Sequence, residues 1–133
     1  MDRPAFTIMN LMEVEDSVAG RADGVQARFA RKHLDSEHLG VSLFSYAPGS
    51  RSPMAHSHRE QEEAYVVVSG SGRARLDDEI RPLATWDVLR VSPSVVREFE
   101  AGEQGLELIA IGADRPEGGD GVRAESAWTE QAG

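Results

Sequence analysis

The sequence predicts an all-β protein, and two observations support this prediction. Apolar and polar residues alternate with a period of two along several segments, which gives each segment one buried face and one wet face. Gly, Pro, Asp and Ser cluster between these segments at spacings that suit hairpins of an antiparallel sheet. A sandwich or a barrel is the natural way for such strands to bury their apolar faces.

The strands are expected in the following order. Val25, Ala27 and Phe29 alternate with polar residues and predict a strand with one wet face. Short runs rich in β-branched and aromatic residues predict more deeply buried strands at 41–46, 64–68 and 106–111. Residues 73–77 alternate again. The segment 12–20 has no strong amphipathic stripe, so we expect a loop there.

Turns are expected where small and turn-forming residues gather. These segments are 48–50, 69–72, 77–79, 92–94 and 102–105. Their spacings suit hairpins in an antiparallel sheet.

Size and composition predict a single domain. A chain of 133 residues with 40% hydrophobic residues is long enough for one core and too short for two ordinary domains. We expect one barrel domain over residues 1–112. After Gly112 the composition shifts to Gly, Asp, Glu and Ala, which predicts a weakly ordered tail over 113–133. Trp128 is the exception, and we expect it to dock on the barrel or on a second subunit.

Charge and cysteine content limit the partners and the metal ligands. A net charge of −9 argues against nucleic acid or an anionic membrane surface as the main partner. No apolar stretch is long enough to span a bilayer. The chain has no cysteine, so any metal would be held by His, Asp and Glu, and the absence of disulfides fits a cytoplasmic location.

One cluster of metal-competent residues stands out. His56 and His58 are separated by one residue and therefore project from the same face of a strand. The carboxylate of Glu63 lies shortly downstream and can swing back toward them. Its neighbour Glu62 must face the other way in a strand, so one of these two carboxylates points inward. The cluster predicts a site for a divalent transition metal such as Fe, Mn, Ni or Zn.

Together with two glycines, these residues resemble the first motif of the cupin superfamily. The motif residues here are Gly49, His56, His58, Glu63 and Gly70, with one more residue between Gly49 and His56 than the family usually has. The resemblance covers residues 40–112 and implies an antiparallel double-stranded β-helix, the jelly-roll barrel of the cupin type. It also implies a pocket inside the barrel and homodimers formed by pairing of edge strands.

The second motif of the family is degenerate in this chain. The family supplies a Gly, a Pro-x-Gly, a third His ligand and an Asn. The matching positions here are Trp86, Ser92, Ser94, Arg97 and Ala101. The surroundings do resemble the family, namely Asp87, the apolar segment 88–91, Pro93 and Phe99.

Arg97 decides the chemistry, because a guanidinium has no lone pair to offer and cannot replace the third His. Two alternatives remain open. Arg97 pairs with Glu63, which leaves His56 and His58 as imidazoles of a metal-free pocket, or Arg97 holds a carboxylate or phosphate of a ligand beside a two-His, one-carboxylate metal site. Tyr65 and Phe99 are predicted to line the pocket and, with Arg97, to contact the ligand.

Three functions compete on this basis. The first is a small cupin that binds a small anionic molecule in its barrel, with or without a divalent metal at an incomplete ligand set. The second is a metal-dependent enzyme, a dioxygenase or an isomerase, that uses His56, His58 and Glu63. The third is a non-catalytic dimeric scaffold or sensor module. The fold by itself does not choose among them.

Overall fold

The computed structural model describes residues 3–126 and 128, and its eight strands form one curled antiparallel sheet. Their bounds are β1 Val25–Phe29, β2 Gly40–Tyr46, β3 Ala55–His58, β4 Glu63–Leu76, β5 Glu79–Ala84, β6 Val88–Val91, β7 Arg97–Gly112 and β8 Gly121–Ala124. The short helix α1, Arg31–Leu34, joins β1 to β2, and a 3-10 turn spans Leu11–Glu13. The predicted all-β jelly-roll barrel is confirmed.

The two long strands organise the barrel. Strand β7 pairs with β4 along nearly its whole length and also with β2 and β3. Strand β4 pairs in addition with β5 and β6, while β1 lies outside β2 and β8 lies outside β3. Because β4 and β7 each pair with several strands, they bend the sheet around a common interior, and β3 is held across that interior at one end of β7.

The period of two in the sequence places the core as predicted. In β1, Val25 and Ala27 are buried while Gln26 is exposed. The buried hydrophobic residues of the interior come from most of the strands and are Val25, Tyr46, Tyr65, Val67, Ala74, Leu83, Val91, Phe99, Ala101, Leu106, Leu108 and Ala110. Burial of these side chains supplies the main driving force for the barrel.

Two predicted turns are instead bends inside continuous strands. The glycine-rich segments 69–72 and 102–105 lie within β4 and β7, and the register between the two strands shifts at Val67/Ser69 and at Gly70/Gly72. Gly70 and Gly105 both have a positive φ. A side chain on Gly70 would collide with the backbone of Gly105, so glycine is required where the two backbones approach this closely.

The segment after Gly112 contains a strand that the sequence analysis does not predict. Strand β8 pairs with all four residues of β3, from Ala55 to His58. The free edge of β3 provides the hydrogen-bonding groups that order this segment. Trp128 docks on the barrel, where its ring lies 5.2 Å from the guanidinium carbon of Arg51 and 5.1 Å from that of Arg73. The other tail residues, 127 and 129–133, lie outside the described part of the chain.

In the described part of the chain, no helix is long and apolar enough to span a membrane, since α1 has four residues.

Candidate metal centre and ligand cavity

The two histidines and the carboxylate predicted from the sequence come together at one point inside the barrel. His56 and His58 lie on β3, and Glu63 is the first residue of β4. Each offers one ligand atom, and the three atoms lie within 4.8 Å of one another. Oε1 of Glu63 is 3.2 Å from Nε2 of His58 and 3.8 Å from Nε2 of His56. Glu62, the residue directly before β4, is exposed and pairs with Arg90 at 2.9 Å.

Asp120 fixes the orientation of the His58 ring. Its Oδ1 lies 2.8 Å from Nδ1 of His58, while Oδ2 accepts hydrogen bonds from the backbone N–H groups of Glu60 and Gln61 at 2.7 Å each. Burial raises the pKa of Asp120, but these hydrogen bonds outweigh burial and lower it to about 2. A charged carboxylate at Nδ1 keeps the proton on that nitrogen and leaves the lone pair of Nε2 directed into the site.

Glu63 is also kept ionised and oriented. The hydroxyl of Tyr65 donates to Oε1 of Glu63 at 2.7 Å. Burial raises the pKa of Glu63, but the neighbouring imidazoles of His56 and His58 and the hydroxyl of Tyr65 outweigh burial and hold this pKa well below its ordinary value. Conversely, burial and the charge of Glu63 raise the pKa of Tyr65 well above its ordinary value, so Tyr65 remains a donor. The carboxylate is therefore available as an anionic ligand atom.

The donor set fits a divalent first-row transition metal. Nε2 of His58 is buried and, among the described residues, makes no hydrogen bond, because its close approach to Glu63 lacks hydrogen-bond geometry. An orphaned imidazole nitrogen that faces a second imidazole and a carboxylate is the arrangement expected of metal ligands. Within the described ranges no fourth His, Asp or Glu joins the group.

Arg97 lies beside this group and does not pair with Glu63. It is opposite His56 in the register of β3 and β7, and its side chain is fully buried. Its Nη2 donates to the carbonyl of Ser92 at 3.2 Å and its Nη1 to that of Pro93 at 3.5 Å, while Nε makes no hydrogen bond to any residue that the structure describes. Among the described residues no carboxylate pairs with Arg97. The pairing of Glu63 with Arg97, one of the two alternatives from the sequence, is therefore absent.

A cavity of about 470 Å³ lies beside the metal-competent group. Its walls are mainly aliphatic and aromatic, and the predicted lining residues Tyr65 and Phe99 are among them, with their rings 4.9 Å apart. His56, His58, Glu63 and Arg97 all line the same cavity. A volume of this size suits a small organic molecule.

The structure adds residues that the sequence analysis does not single out. Asp120 lies in the segment predicted to be a weakly ordered tail, and Gln61, Arg31 and Arg115 also line the cavity. Nε2 of Gln61 and Nη2 of Arg31 both donate to the carbonyl of Ala113, at 2.9 and 3.1 Å. The sequence carries no local signal for these roles, since each depends on contacts between distant segments.

Comparison with known proteins gives the following findings. A family model described as a cupin domain matches residues 42–112. A comparison with curated protein sequences found no match. Among solved structures, a cupin protein from Bacteroides fragilis is 19% identical, with 97% of this chain and 98% of that chain covered and a TM-score of 0.70.

Two further solved structures are enzymes by name. A sugar phosphate isomerase from Silicibacter pomeroyi is 16% identical, with 96% of this chain and 100% of that chain covered and a TM-score of 0.70. Oxalate decarboxylase from Bacillus subtilis is 21% identical with a TM-score of 0.71, and the match covers 88% of this chain but 32% of the decarboxylase. At these identities the likeness concerns the fold.

Proposed function

The chain belongs to the cupin family, and on this premise we propose that it binds a divalent transition metal through His56, His58 and Glu63 together with a small organic anion. The metal, when bound, would act as a Lewis acid beside the ligand. Asp120 orients His58, Tyr65 orients Glu63, and the apolar walls exclude water from the ligand.

The single observation that supports an anionic ligand is the buried guanidinium of Arg97, which pairs with no carboxylate of the described residues. A permanent positive charge that is fully buried normally requires a carboxylate partner, because removal of an ion from water is costly. Arg97 has two carbonyl contacts and a bare Nε, and no carboxylate in the described residues pairs with it. Because Arg97 lines the cavity, an anion in the cavity would supply the missing partner.

Two measurements test the proposal. Titration calorimetry with Zn²⁺ and Mn²⁺ should give one site per chain, and the double variant His56→Ala/His58→Ala should lose it. In a thermal-shift assay, sodium salts of organic acids should raise the Tm of the unaltered protein but not that of Arg97→Met, which keeps most of the buried volume without the charge. Failure of both metals to bind, or equal anion responses in Arg97→Met and the unaltered protein, would disprove the corresponding part.

A metal-dependent enzyme is the second candidate, and the two-His, one-carboxylate set supports it. Three protein ligands leave coordination positions open, as in non-haem Fe(II) oxygenases, and the cavity leads to them. Two of the structural relatives are named as a decarboxylase and an isomerase. Incubation of the metal-loaded protein with oxo acids, dicarboxylates and sugar phosphates, followed by NMR, should show conversion that His56→Ala/His58→Ala abolishes.

A homodimeric scaffold or sensor and a cytoplasmic location also remain proposals. Strands β1 and β5 each pair with a single neighbour, so each presents an edge to which a second copy can add. Light scattering coupled to gel filtration tests the dimer, and cell fractionation tests the location.

A further inference from the structure

Two arginines of the cavity lining, the half-buried Arg31 and the exposed Arg115, mark its solvent-facing end, which we call the mouth. Arg31 and Arg115 both line the cavity, and neither forms an ion pair within residues 3–126 and 128. Arg31 donates to the Ala113 carbonyl, whereas Arg115 makes no hydrogen bond to any described residue. Burial and the neighbouring charge of Arg115 lower the pKa of Arg31, and the charge of the nearby Asp114 carboxylate partly offsets them. Two like charges held near each other in a chain of net charge −9 form a second place where an anion would be stabilised.

The strand register sets the scale of the separation between this mouth and the strand that carries Glu63. Gly40 on β2, Gly112 on β7 and Glu63 on β4 are directly opposite one another across three adjacent strands. A side chain on Gly40 would collide with the guanidinium of Arg31, so that guanidinium lies against Gly40. The backbones of Gly40 and Glu63 are therefore two strand spacings apart, roughly 10 Å, and the Arg31 guanidinium, which also donates to the Ala113 carbonyl, lies at the Gly40 end of that span.

The wall between the two ends is apolar. Ala27, Phe29 and Phe44 line it from β1 and β2, and Ala110 lines it from β7. This mainly apolar wall stabilises methylene groups, and Ser42 of β2 adds one hydroxyl to it. Positive charge at each end with an apolar wall between them is complementary to a molecule that carries an anionic group at each end of a hydrocarbon chain.

We infer that the ligand is a dicarboxylic acid with an apolar chain, whose inner carboxylate lies beside Arg97 and the metal-competent group and whose outer carboxylate binds Arg31 and Arg115. The inner half of this inference rests on the proposed function. A backbone separation of roughly 10 Å matches a chain of about six to eight carbons. Oxalate, the substrate named for one structural relative, is too short to reach both ends.

The experiment compares diacids with monoacids of equal length. Calorimetry on the Zn²⁺-loaded protein measures Kd for oxalate, succinate, adipate and suberate, and for hexanoate and octanoate. The ratio of monoacid to diacid Kd isolates the outer carboxylate. We expect this ratio to be about tenfold or more for adipate or suberate, because a charge-assisted hydrogen bond to arginine is gained.

The variants assign that ratio to the mouth. Arg31→Gln and Arg115→Gln should each reduce the ratio toward one while monoacid Kd stays within about threefold. Lys32→Gln removes the same charge from the neighbouring exposed residue and should leave the ratio unchanged. Arg115 is exposed, so its substitution does not threaten the fold.

The outcomes separate this inference from the proposed function. A ratio that is unchanged in both arginine variants, tighter binding of oxalate than of adipate and suberate, or no binding of any acid would overturn the inference. If the protein does not bind Zn²⁺ but the Kd ratio, measured on the metal-free protein, still depends on Arg31 and Arg115, the outer carboxylate site is supported and the proposed metal site is rejected. Zn²⁺ binding with a ratio near one would leave the proposed metal site in place and overturn the dicarboxylate.

Discussion

The carboxylate of Asp120 should control metal affinity although it is not a ligand. Substitution of Asp120 by Asn keeps the size of the side chain but removes its charge and puts an amide where His58 and two backbone N–H groups now donate, at 2.8, 2.7 and 2.7 Å. Loss of such a partner of a metal-binding His typically weakens binding by about 10- to 100-fold. This corresponds to roughly 1.4 to 2.7 kcal/mol in metal binding.

The same substitution should lower the free energy of unfolding of the metal-free protein by about 1 to 3 kcal/mol, because a buried charged acceptor is lost. Zn²⁺ affinity is measured by competition with a chromophoric chelator at neutral pH, and stability is measured separately by urea unfolding. Asp114→Asn is the matched control, since that side chain is 70% exposed and pairs with His38 at the surface. Zn²⁺ affinity of a folded Asp120→Asn protein within threefold of the unaltered protein would refute the assigned role.

Three further changes test other parts of the structure. Trp86 has a φ of 75°, which strains any residue with a side chain, and it is 72% exposed. Trp86→Gly should therefore have a free energy of unfolding about 0.5 to 1 kcal/mol higher than Trp86→Ala. A lower urea midpoint for the glycine variant would contradict this strain. Burial raises the pKa of Tyr46 to about 12. In the variant Tyr65→Phe, Tyr46 is the remaining tyrosine, and absorbance should show no phenolate between pH 10 and 11 while the protein stays folded. Ionisation of Tyr46 near pH 10 in the folded protein would refute this. Burial raises the pKa of Glu100, but its hydrogen bonds with two arginines outweigh burial and lower the pKa below the ordinary 4.5, so Glu100 stabilises the fold above pH 4.5 and this contribution is lost as the pH falls below that value. Glu100→Gln should therefore be less stable than the unaltered protein at pH 7 and should lose less stability on acidification. Urea midpoints at pH 7 and 3.5 test both expectations.

The sequence predicts those features that depend on local spacing. The period of two places Val25 and Ala27 in the core, and it also turns His56 and His58 to one face and Glu62 away from Glu63. The identity of Arg97 is enough to show that a third His ligand is missing. These conclusions need no knowledge of which strand pairs with which.

Features that depend on long-range pairing are not predictable from this sequence. Asp120 contacts His58 because β8 adds to the edge of β3, and the glycine-rich composition before β8 is typical of a disordered tail. The glycines near Gly70 predict a turn, but glycine serves a bulge equally well, and the choice is made by the approach of Gly105 from β7.

The pairing of β8 with β3 has a practical consequence for protein engineering. Residues 42–112, which the family model matches, would be the obvious piece to clone or to transplant, yet that piece leaves out Asp120, β8 and Arg31. A shortened protein of this kind would keep His56 and His58 but would lose Asp120, which orients the ring of His58. Failure of the shortened protein to bind metal would therefore reflect the missing residues rather than a property of the whole barrel.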